Sequence, residues 1–279
     1  MTALPGGGWL KGRARSLLWR LLDARLGAAG AAMSASPRPA LVFAPHQDDE
    51  SFGCGGLIAL KRELGAAVEV VFLTDGGLSY GADRLPPGVQ VARRRQEALD
   101  ALDVLGVARA SVRFLDRPDG TLGDLEGRER DVLLGELVAI VDAVAPQEVY
   151  VTYRRDGHPD HEAAAALVRA AIGRSGRQPE VFEYPVWSRY DPRVFDFGSP
   201  DFASLRRLPI GSARDRKRRA IACHRSQFEP IPPDVRGGLP EGFVARLATG
   251  TEYYFVDAVG ECEGAGGGDA GPVGRACAR

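Results

Sequence analysis

The sequence predicts an α/β fold in which a mostly parallel β-sheet carries helices on both faces. The main observation is a strict alternation of short, continuous apolar runs with longer stretches of helical periodicity, which is typical of parallel sheets. The second is the composition of an ordinary globular protein, with 44% hydrophobic and 26% charged residues. At 279 residues, the chain is long enough for one large or two small domains.

Five apolar runs are the predicted strands, and helical patterns follow each of them. The strands are expected at 40–44, 68–74, 111–115, 148–152 and 180–184. The helices are expected near 55–64 and over 89–105, 128–144, 160–173 and 212–227. Because strand–helix–strand crossovers lay their helices against the sheet, we expect residues 39–262 to form a single Rossmann-like domain.

The two ends of the chain differ from this pattern. Residues 1–38 are predicted to form a basic amphipathic arm and linker, because leucines alternate with arginines over residues 9–26. This helix either packs on the domain or forms a poorly ordered arm; a membrane-surface or partner-binding helix is the alternative. The glycine-rich residues 263–279 are predicted to be a disordered tail.

Charge and cysteine content exclude several classes of protein. The net charge of −1 gives no electrostatic reason to expect nucleic-acid binding. The four cysteines lie far apart without a CxxC pair, which argues against a thiolate zinc site or a disulfide framework. These features favour a cytoplasmic protein, with membrane association through the N-terminal helix as an open alternative.

Three of the four histidines lie in two short polar motifs that each come after a predicted strand. The first is Pro45-His46-Gln47-Asp48-Asp49-Glu50, and the second is His158-Pro159-Asp160-His161. In parallel sheets, ligands bind beyond the carboxyl ends of the strands, where these two motifs meet. Two imidazoles and one carboxylate with an open position make a catalytic zinc site. His46, Asp49 and His161 are the candidate ligands.

The remaining polar residues of the two motifs suit supporting roles. One of the adjacent aspartates, Asp48, is placed to act as a general base beside the metal. His158 and His161 are three residues apart, so in the first turn of a helix they share a face. Asp160 is placed to hydrogen-bond a histidine and fix its tautomer. Taken alone, the Asp48-Asp49 pair is better explained as an ordinary helix cap, and the second motif is compatible with a surface turn that has proline at the first helical position.

Together the two motifs resemble the PIG-L/LmbE-type metal-dependent deacetylases, which remove acetyl groups from N-acetylated amino sugars. The likeness extends over about residues 39–256. The resemblance implies that His46, Asp49 and His161 hold zinc or ferrous iron, and that Asp48 is the general base and then the acid. It also implies that a protonated His158, oriented by Asp160, stabilises the oxyanion.

The sequence departs from the family pattern at two places. The usual first motif is A-H-P-D-D-E, whereas this chain has Pro45 and Gln47 in place of the alanine and the first proline. Some members carry a tyrosine two residues before the histidine of the second motif, where this chain has Asp156. Tyr153 or Arg155 could take over the role of that tyrosine.

Four residues are weaker candidates for substrate binding. These are Arg94, Asp116, Trp187 and His224. A solvated charged face explains the arginines at 93–95 equally well, and His224 could equally be a packed histidine. The expected substrate is a small or lipid-linked amino-sugar conjugate. The alternatives are a deacylase of another acylated amine and a non-catalytic sugar- or metal-binding module.

Overall fold

The computed structural model describes residues 6–78, 87–191, 193–195, 198–228 and 238–256, with side chains described from residue 16 in the first range and from residue 88 in the second. The helices are α1 (Gly6–Ala29), α2 (Asp49–Glu63), α3 (Pro87–Leu105), α4 (Gly127–Val144), α5 (Pro159–Ser175), α6 (Trp187–Tyr190), α7 (Arg214–Cys223) and α8 (Phe243–Leu247). The strands are β1 (Ala31–Ala32), β2 (Ala40–Ala44), β3 (Val68–Thr74), β4 (Val112–Arg117), β5 (Glu148–Thr152), β6 (Glu180–Tyr184), β7 (Leu205–Pro209) and β8 (Thr251–Val256).

Within the described residues, the strands form one sheet in the order β1-β7-β8-β6-β5-β2-β3-β4. The five strands from β6 to β4 are parallel, as predicted, and only β8 runs against its neighbours. The α/β prediction is therefore confirmed. β7 and β8 were not predicted, and they extend the sheet beyond β6 by antiparallel pairing. The predicted tail at 263–279 lies outside the described residues.

Alternate residues of the central strands feed two separate hydrophobic cores. Val42 belongs to the core that also contains residues of α2, α3 and α7, whereas the adjacent Phe43 belongs to the core with α4 and α5. The same alternation separates Val70 from Val71 in β3. Because successive side chains point to opposite faces, a strand buried on both faces must be apolar throughout. This explains the continuous apolar runs of the sequence.

Helix α2 is packed unusually closely, which fixes its first turn next to the strand ends. A Cβ atom on Gly53 would lie 2.1 Å from the ring of Tyr184, so only glycine fits there. A buried ion pair between Glu252 and Lys217 contacts the backbone of the same helix. Glu252 accepts the amides of Gly56 and Leu57 at 2.7 and 2.9 Å, and Lys217 donates to the carbonyl of Phe52 at 2.7 Å.

The predicted helix at 212–227 is wrong in its extent. Helix α7 ends at Cys223, and His224 leaves the helical conformation with φ −78° and ψ 53°. The chain turns here because two side chains hydrogen-bond inward, His224 to Ser51 and Ser226 to Glu97. A short 3-10 turn over Arg225–Gln227 follows.

Helix α1 packs on the domain over the part whose side chains are described. Leu22 and Leu26 are fully buried in a third apolar cluster, whereas Leu17 and Leu21 are about half exposed on the opposite face. The indole of Trp19 donates to the carbonyl of Tyr190 at 2.8 Å. In the described part of the chain, no helix has both the length and the apolar character needed to cross a bilayer.

Candidate metal centre

The carboxyl ends of adjacent parallel strands bring both histidine motifs to one place. β2 leads into His46 and the first turn of α2, and the neighbouring β5 leads into His158 and the first turn of α5. β4, two strands from β2, ends just before Asp119. The meeting of the two motifs expected from the sequence therefore follows directly from the strand order.

Three buried side chains direct possible metal-binding atoms toward a common point. One atom from each of His46, Asp49 and His161 lies within 4.8 Å of the other two. Asp49 Oδ2 lies 3.2 Å from His46 Nδ1 and 3.2 Å from His161 Nε2. Two imidazoles and one carboxylate are the donor set of many catalytic zinc and ferrous sites.

The environment of His161 fits a metal ligand. Its Nε2 is buried and has no hydrogen-bond partner of good geometry among the described residues. Its Nδ1 lies 2.7 Å from Asp156 Oδ2. A carboxylate at this nitrogen holds the proton on Nδ1 and leaves the lone pair of Nε2 free for a cation. The residues present thus fit a divalent metal.

Asp156 is itself held by hydrogen bonds from the segment that follows β6. It accepts the amides of Val186, Trp187 and Ser188 at 2.9–3.0 Å and the hydroxyl of Ser188 at 2.6 Å. The side chain that orients His161 therefore also positions the turn that carries Trp187. In the sequence, Asp156 stands out only as a departure from the family tyrosine, so this role was not predicted.

Asp160 contacts His46 rather than His158. Its Oδ2 lies 3.1 Å from His46 Nε2, while its two oxygens also accept the amides of Gly120 and Leu122 at 2.8 and 3.0 Å. The structure thus gives Asp160 a histidine to orient, as the sequence analysis expected, but a different one from that implied by the family resemblance. His46, His158 and Asp160 form a second, overlapping group that could hold a metal.

Negative charge is concentrated around His46. Its two ring nitrogens face three carboxylates, those of Asp49, Asp119 and Asp160, at 3.1–3.2 Å. Burial disfavours the charged imidazole, but hydrogen bonds to these carboxylates raise the pKa of His46 well above 6.5. Such an excess of buried carboxylates favours a site that binds a cation.

Asp48 has the environment of a proton acceptor. It is buried at the N-terminus of α2, its side chain makes no cap hydrogen bond, and its Oδ2 lies 3.3 Å from Arg94 Nη2. Burial raises the pKa of Asp48 to about 6, although the Arg94 guanidinium opposes the shift. A carboxyl with a pKa near 6 can accept and return a proton close to neutral pH.

His158 differs from the expected protonated group. Burial, together with the positive charges of His161 and His46, lowers the pKa of His158 to about 4. A cation held by His46 and His161 would put positive charge at the same place as those two charged rings, so the His158 ring is neutral at pH 7 and can stabilise a developing oxyanion only as an N–H donor. Its ring lies against Trp187, with centroids 6.0 Å apart.

A cavity of about 280 Å³ opens over these side chains. His46, Asp48, Asp49 and His158 lie in its lining, and Arg94, Asp119 and Trp187 also line it. The remaining wall is largely apolar, because Phe52, Leu78, Leu239 and Phe243 border it. The cavity therefore combines a charged floor with an apolar wall.

Of the four weaker candidates for substrate binding, two line the cavity and two do not. Arg94 and Trp187 line the cavity. Asp116 does not line it, because its half-exposed carboxylate pairs with Arg95 at 2.5 Å. His224 is fully buried behind α2, within 3.2 Å of Glu50, and does not reach the cavity either.

The sequence did not indicate the roles of two further polar residues at the site. Asp119 lines the cavity and contacts His46, but in the sequence it reads as part of an ordinary Pro-Asp-Gly turn. Gln47 donates its side-chain amide to the carbonyl of Thr74 at 2.7 Å, and Arg94 donates to the carbonyl of Gln47 at 3.0 Å. Gln47 thus holds the ends of β2 and β3 together.

Comparison with known proteins finds a matching family and several similar enzymes. Residues 41–172 match the PIG-L family, described as GlcNAc-PI de-N-acetylase. The chain is 32% identical to the 1D-myo-inositol 2-acetamido-2-deoxy-alpha-D-glucopyranoside deacetylase of Saccharomonospora viridis, over 79% of this chain and 95% of that protein. It is 29% identical to the 4-oxalmesaconate hydratase of Pseudomonas putida, over 78% and 85% respectively.

A solved structure agrees with the fold. A conserved protein from Thermus thermophilus superposes with a TM-score of 0.54 at 27% identity, over 75% of this chain and 84% of that chain.

Proposed function

Because this chain belongs to the PIG-L/LmbE-like family of N-acetylglucosaminyl deacetylases, we propose that it is a metal-dependent hydrolase of an N-acetylglucosamine-type conjugate. The reaction cleaves the amide bond and releases acetate and a free amine. The observation that carries the proposal is the convergence of His46, Asp49 and His161 within 4.8 Å, beside a cavity that His46 and Asp49 line.

We assign the metal to His46, Asp49 and His161 rather than to the overlapping group with Asp160. Both oxygens of Asp160 already accept backbone amides, whereas His161 Nε2 has no such partner among the described residues. When bound, a divalent cation supplies Lewis-acid activation of the water and of the acetyl carbonyl. Zinc is our first choice, and ferrous iron is the alternative, since histidine and carboxylate donors accept both.

The residues around the cation divide the proton transfers. Asp48 accepts a proton from the attacking water, and Arg94 holds its carboxylate in place. As negative charge builds on the carbonyl oxygen, neutral His158 donates an N–H hydrogen bond to it. Asp48 then returns the proton to the nitrogen as the carbon–nitrogen bond breaks, so that the amine leaves in a neutral form.

The direct test is acetate release from methyl N-acetylglucosaminide by protein stripped with a chelator and refilled with Zn²⁺. We expect equal amounts of acetate and amine with the metal, and neither without it. The Asp116→Ala variant is the control, because that carboxylate lies outside the cavity, and its KM should match the wild type. Absence of acetate from the protein loaded with Zn²⁺ and from the protein loaded with Fe²⁺ would refute the proposal.

Because one of the relatives is named as a hydratase, the experiment includes a second substrate. The fold is compatible with other uses of activated water, and a relative that is 29% identical over 78% of this chain carries the name of a hydratase. The same zinc-loaded protein should therefore be offered an unsaturated dicarboxylic acid. Loss of its double-bond absorbance without any acetate release from the glycosides would favour the hydratase alternative over the deacetylase.

We further propose a cytoplasmic location, and peripheral membrane contact through α1 if the substrate is lipid-linked. The exposed Leu17 and Leu21 lie one turn apart, with the exposed Arg20 between them, which suits an anionic bilayer surface. A Leu17→Glu/Leu21→Glu variant should lose binding to phosphatidylglycerol vesicles and keep its fold, because neither side chain is buried. Equal binding by both proteins would exclude this contact.

A further inference from the structure

A second, larger groove lies beside the catalytic cavity. It has a volume of about 640 Å³ and runs between α7 and α8. Its walls are mainly apolar. They include Phe228, Leu239, Val244, Ala245 and Ala248. Part of this surface continues along α7 past Ile221 and Ala222.

The groove adjoins the catalytic cavity. Leu239 and Phe243 line both, so a ligand that fills the cavity meets the groove at these two residues. The cavity of about 280 Å³ is of the size of a single sugar residue with its acetyl group, and it leaves little room for a large group attached to that sugar. Such a group extends most readily past Leu239 and Phe243 into the groove.

Two exposed cations stand at the rim of the groove. Arg214 and Arg218 both line it, and at a spacing of four residues they share one face of α7. Within the described ranges, neither guanidinium forms an ion pair with a carboxylate, although the neighbouring Arg216 and Lys217 do. The single acidic residue among the described groove lining is Glu241.

We propose that this groove is the subsite for the aglycone of the substrate, and that the aglycone is apolar and carries an acidic group. The inference rests on the proposed deacetylase function and extends it to a substrate class. The apolar walls bind the hydrocarbon part, and Arg214 and Arg218 bind a carboxylate or phosphate at its end. A sugar with a small neutral aglycone would leave both arginines without an acidic partner in the described part of the chain.

Three matched N-acetylglucosaminides test the proposal: the methyl, hexyl and 5-carboxypentyl glycosides of one anomer. The hexyl glycoside should exceed the methyl glycoside in kcat/KM by roughly fourfold for each methylene that is buried. The 5-carboxypentyl glycoside should exceed the hexyl by about fivefold, the effect of two partly exposed charge pairs. This last advantage should shrink in about 0.5 M NaCl, because salt screens exposed charges.

Variants separate the apolar contribution from the charged one. Arg214→Gln/Arg218→Gln should abolish the preference for the carboxylate and leave kcat/KM for the methyl glycoside unchanged. Arg219→Gln is the matched control, since this exposed arginine on the same helix does not line the groove. Ala245→Trp should narrow the groove and reduce the advantage of both long-chain glycosides over the methyl glycoside, whose own kcat/KM should not change.

The outcomes distinguish this inference from the proposed function. Deacetylation of the methyl glycoside with equal kcat/KM for all three compounds would overturn the aglycone subsite and leave the deacetylase intact. A carboxylate preference that persists in the double variant would also overturn it, because the acidic group would then bind elsewhere. Failure to deacetylate any of the three glycosides would refute both.

Discussion

Asp156→Asn is the substitution that most sharply tests how the metal ligand His161 is held. The buried Asp156 carboxylate accepts a hydrogen bond from His161 Nδ1 and four more from the Val186–Ser188 segment. An asparagine has only one oxygen for these donors. If its amide nitrogen faces His161, Nδ1 must become an acceptor, and the proton moves to Nε2, the nitrogen that should bind the metal.

The opposite orientation of asparagine is no better. Its amide nitrogen would then face backbone N–H groups, so that two donors point at each other in a buried place. Loss of a carboxylate behind a metal-binding histidine typically weakens metal binding about 10- to 100-fold. That corresponds to about 1.4–2.7 kcal/mol. We therefore expect the Kd for Zn²⁺ to rise by this factor, with kcat falling in proportion when zinc is limiting.

The assay is a competition titration of Zn²⁺ against a chromogenic chelator, with circular dichroism to verify folding. Asp201→Asn is the matched control. Asp201 is also a buried carboxylate, bonded to Tyr153 and Arg154, but it has no contact with the metal group in the described part of the structure. An Asp156→Asn protein that is folded and binds zinc as tightly as the wild type would refute the role assigned to Asp156.

Three further predictions concern the proton acceptor and the contact that holds α1. Asp48→Asn should keep its bound metal, measured by elemental analysis, and lose about 100-fold or more in kcat; a wild-type rate would contradict the assignment. The pKa of Asp48, about 6, predicts that kcat/KM falls as the pH drops through 6, because the protonated carboxyl accepts no proton. Positive charge from a bound cation moves this acidic fall in kcat/KM to lower pH. A profile that is flat from about pH 8 to pH 4 would exclude Asp48 as the base. Asp23→Ala removes the carboxylate that pairs with the buried Arg189 and with Arg246. The free energy of unfolding should fall by about 1–2 kcal/mol and Tm by roughly 3–6 °C. An unchanged Tm would show that this contact does not hold α1 on the domain.

The parallel part of the fold and the floor of the site were predictable because their causes are local. A strand buried on both faces must be apolar along its length, and the runs at 40–44 and 148–152 carry that signal directly. The two histidine motifs follow these strands, so the topology of a parallel sheet was enough to bring His46 and His161 together.

The parts that were missed depend on contacts between distant residues. The burial of β7 does not alternate regularly, because Arg206 and Arg207 lie between two buried leucines. Its place in the sheet is set by antiparallel pairing with β8, about forty residues later. Asp156 lies in a loop where aspartate and glycine are common. Its function exists only because the amides of Val186–Ser188 surround it.

The pKa of His158 shows a second limit of prediction from sequence. The resemblance to the family implied a protonated imidazole, which is reasonable for a histidine next to carboxylates. In the structure the nearest carboxylates contact His46 and His161 instead, and the charge on those two rings joins burial in lowering the pKa of His158 to about 4. Such a balance depends on distances of a few ångströms, which spacing along a sequence does not specify.

The central claim is that one divalent cation binds between the two histidine motifs, and anomalous diffraction at the zinc edge from zinc-soaked crystals tests it most directly. We predict a single strong peak about 2.0–2.2 Å from His161 Nε2, a ring nitrogen of His46 and a carboxylate oxygen of Asp49. A map with no peak among these three side chains, at full zinc saturation of the solution, would contradict the account.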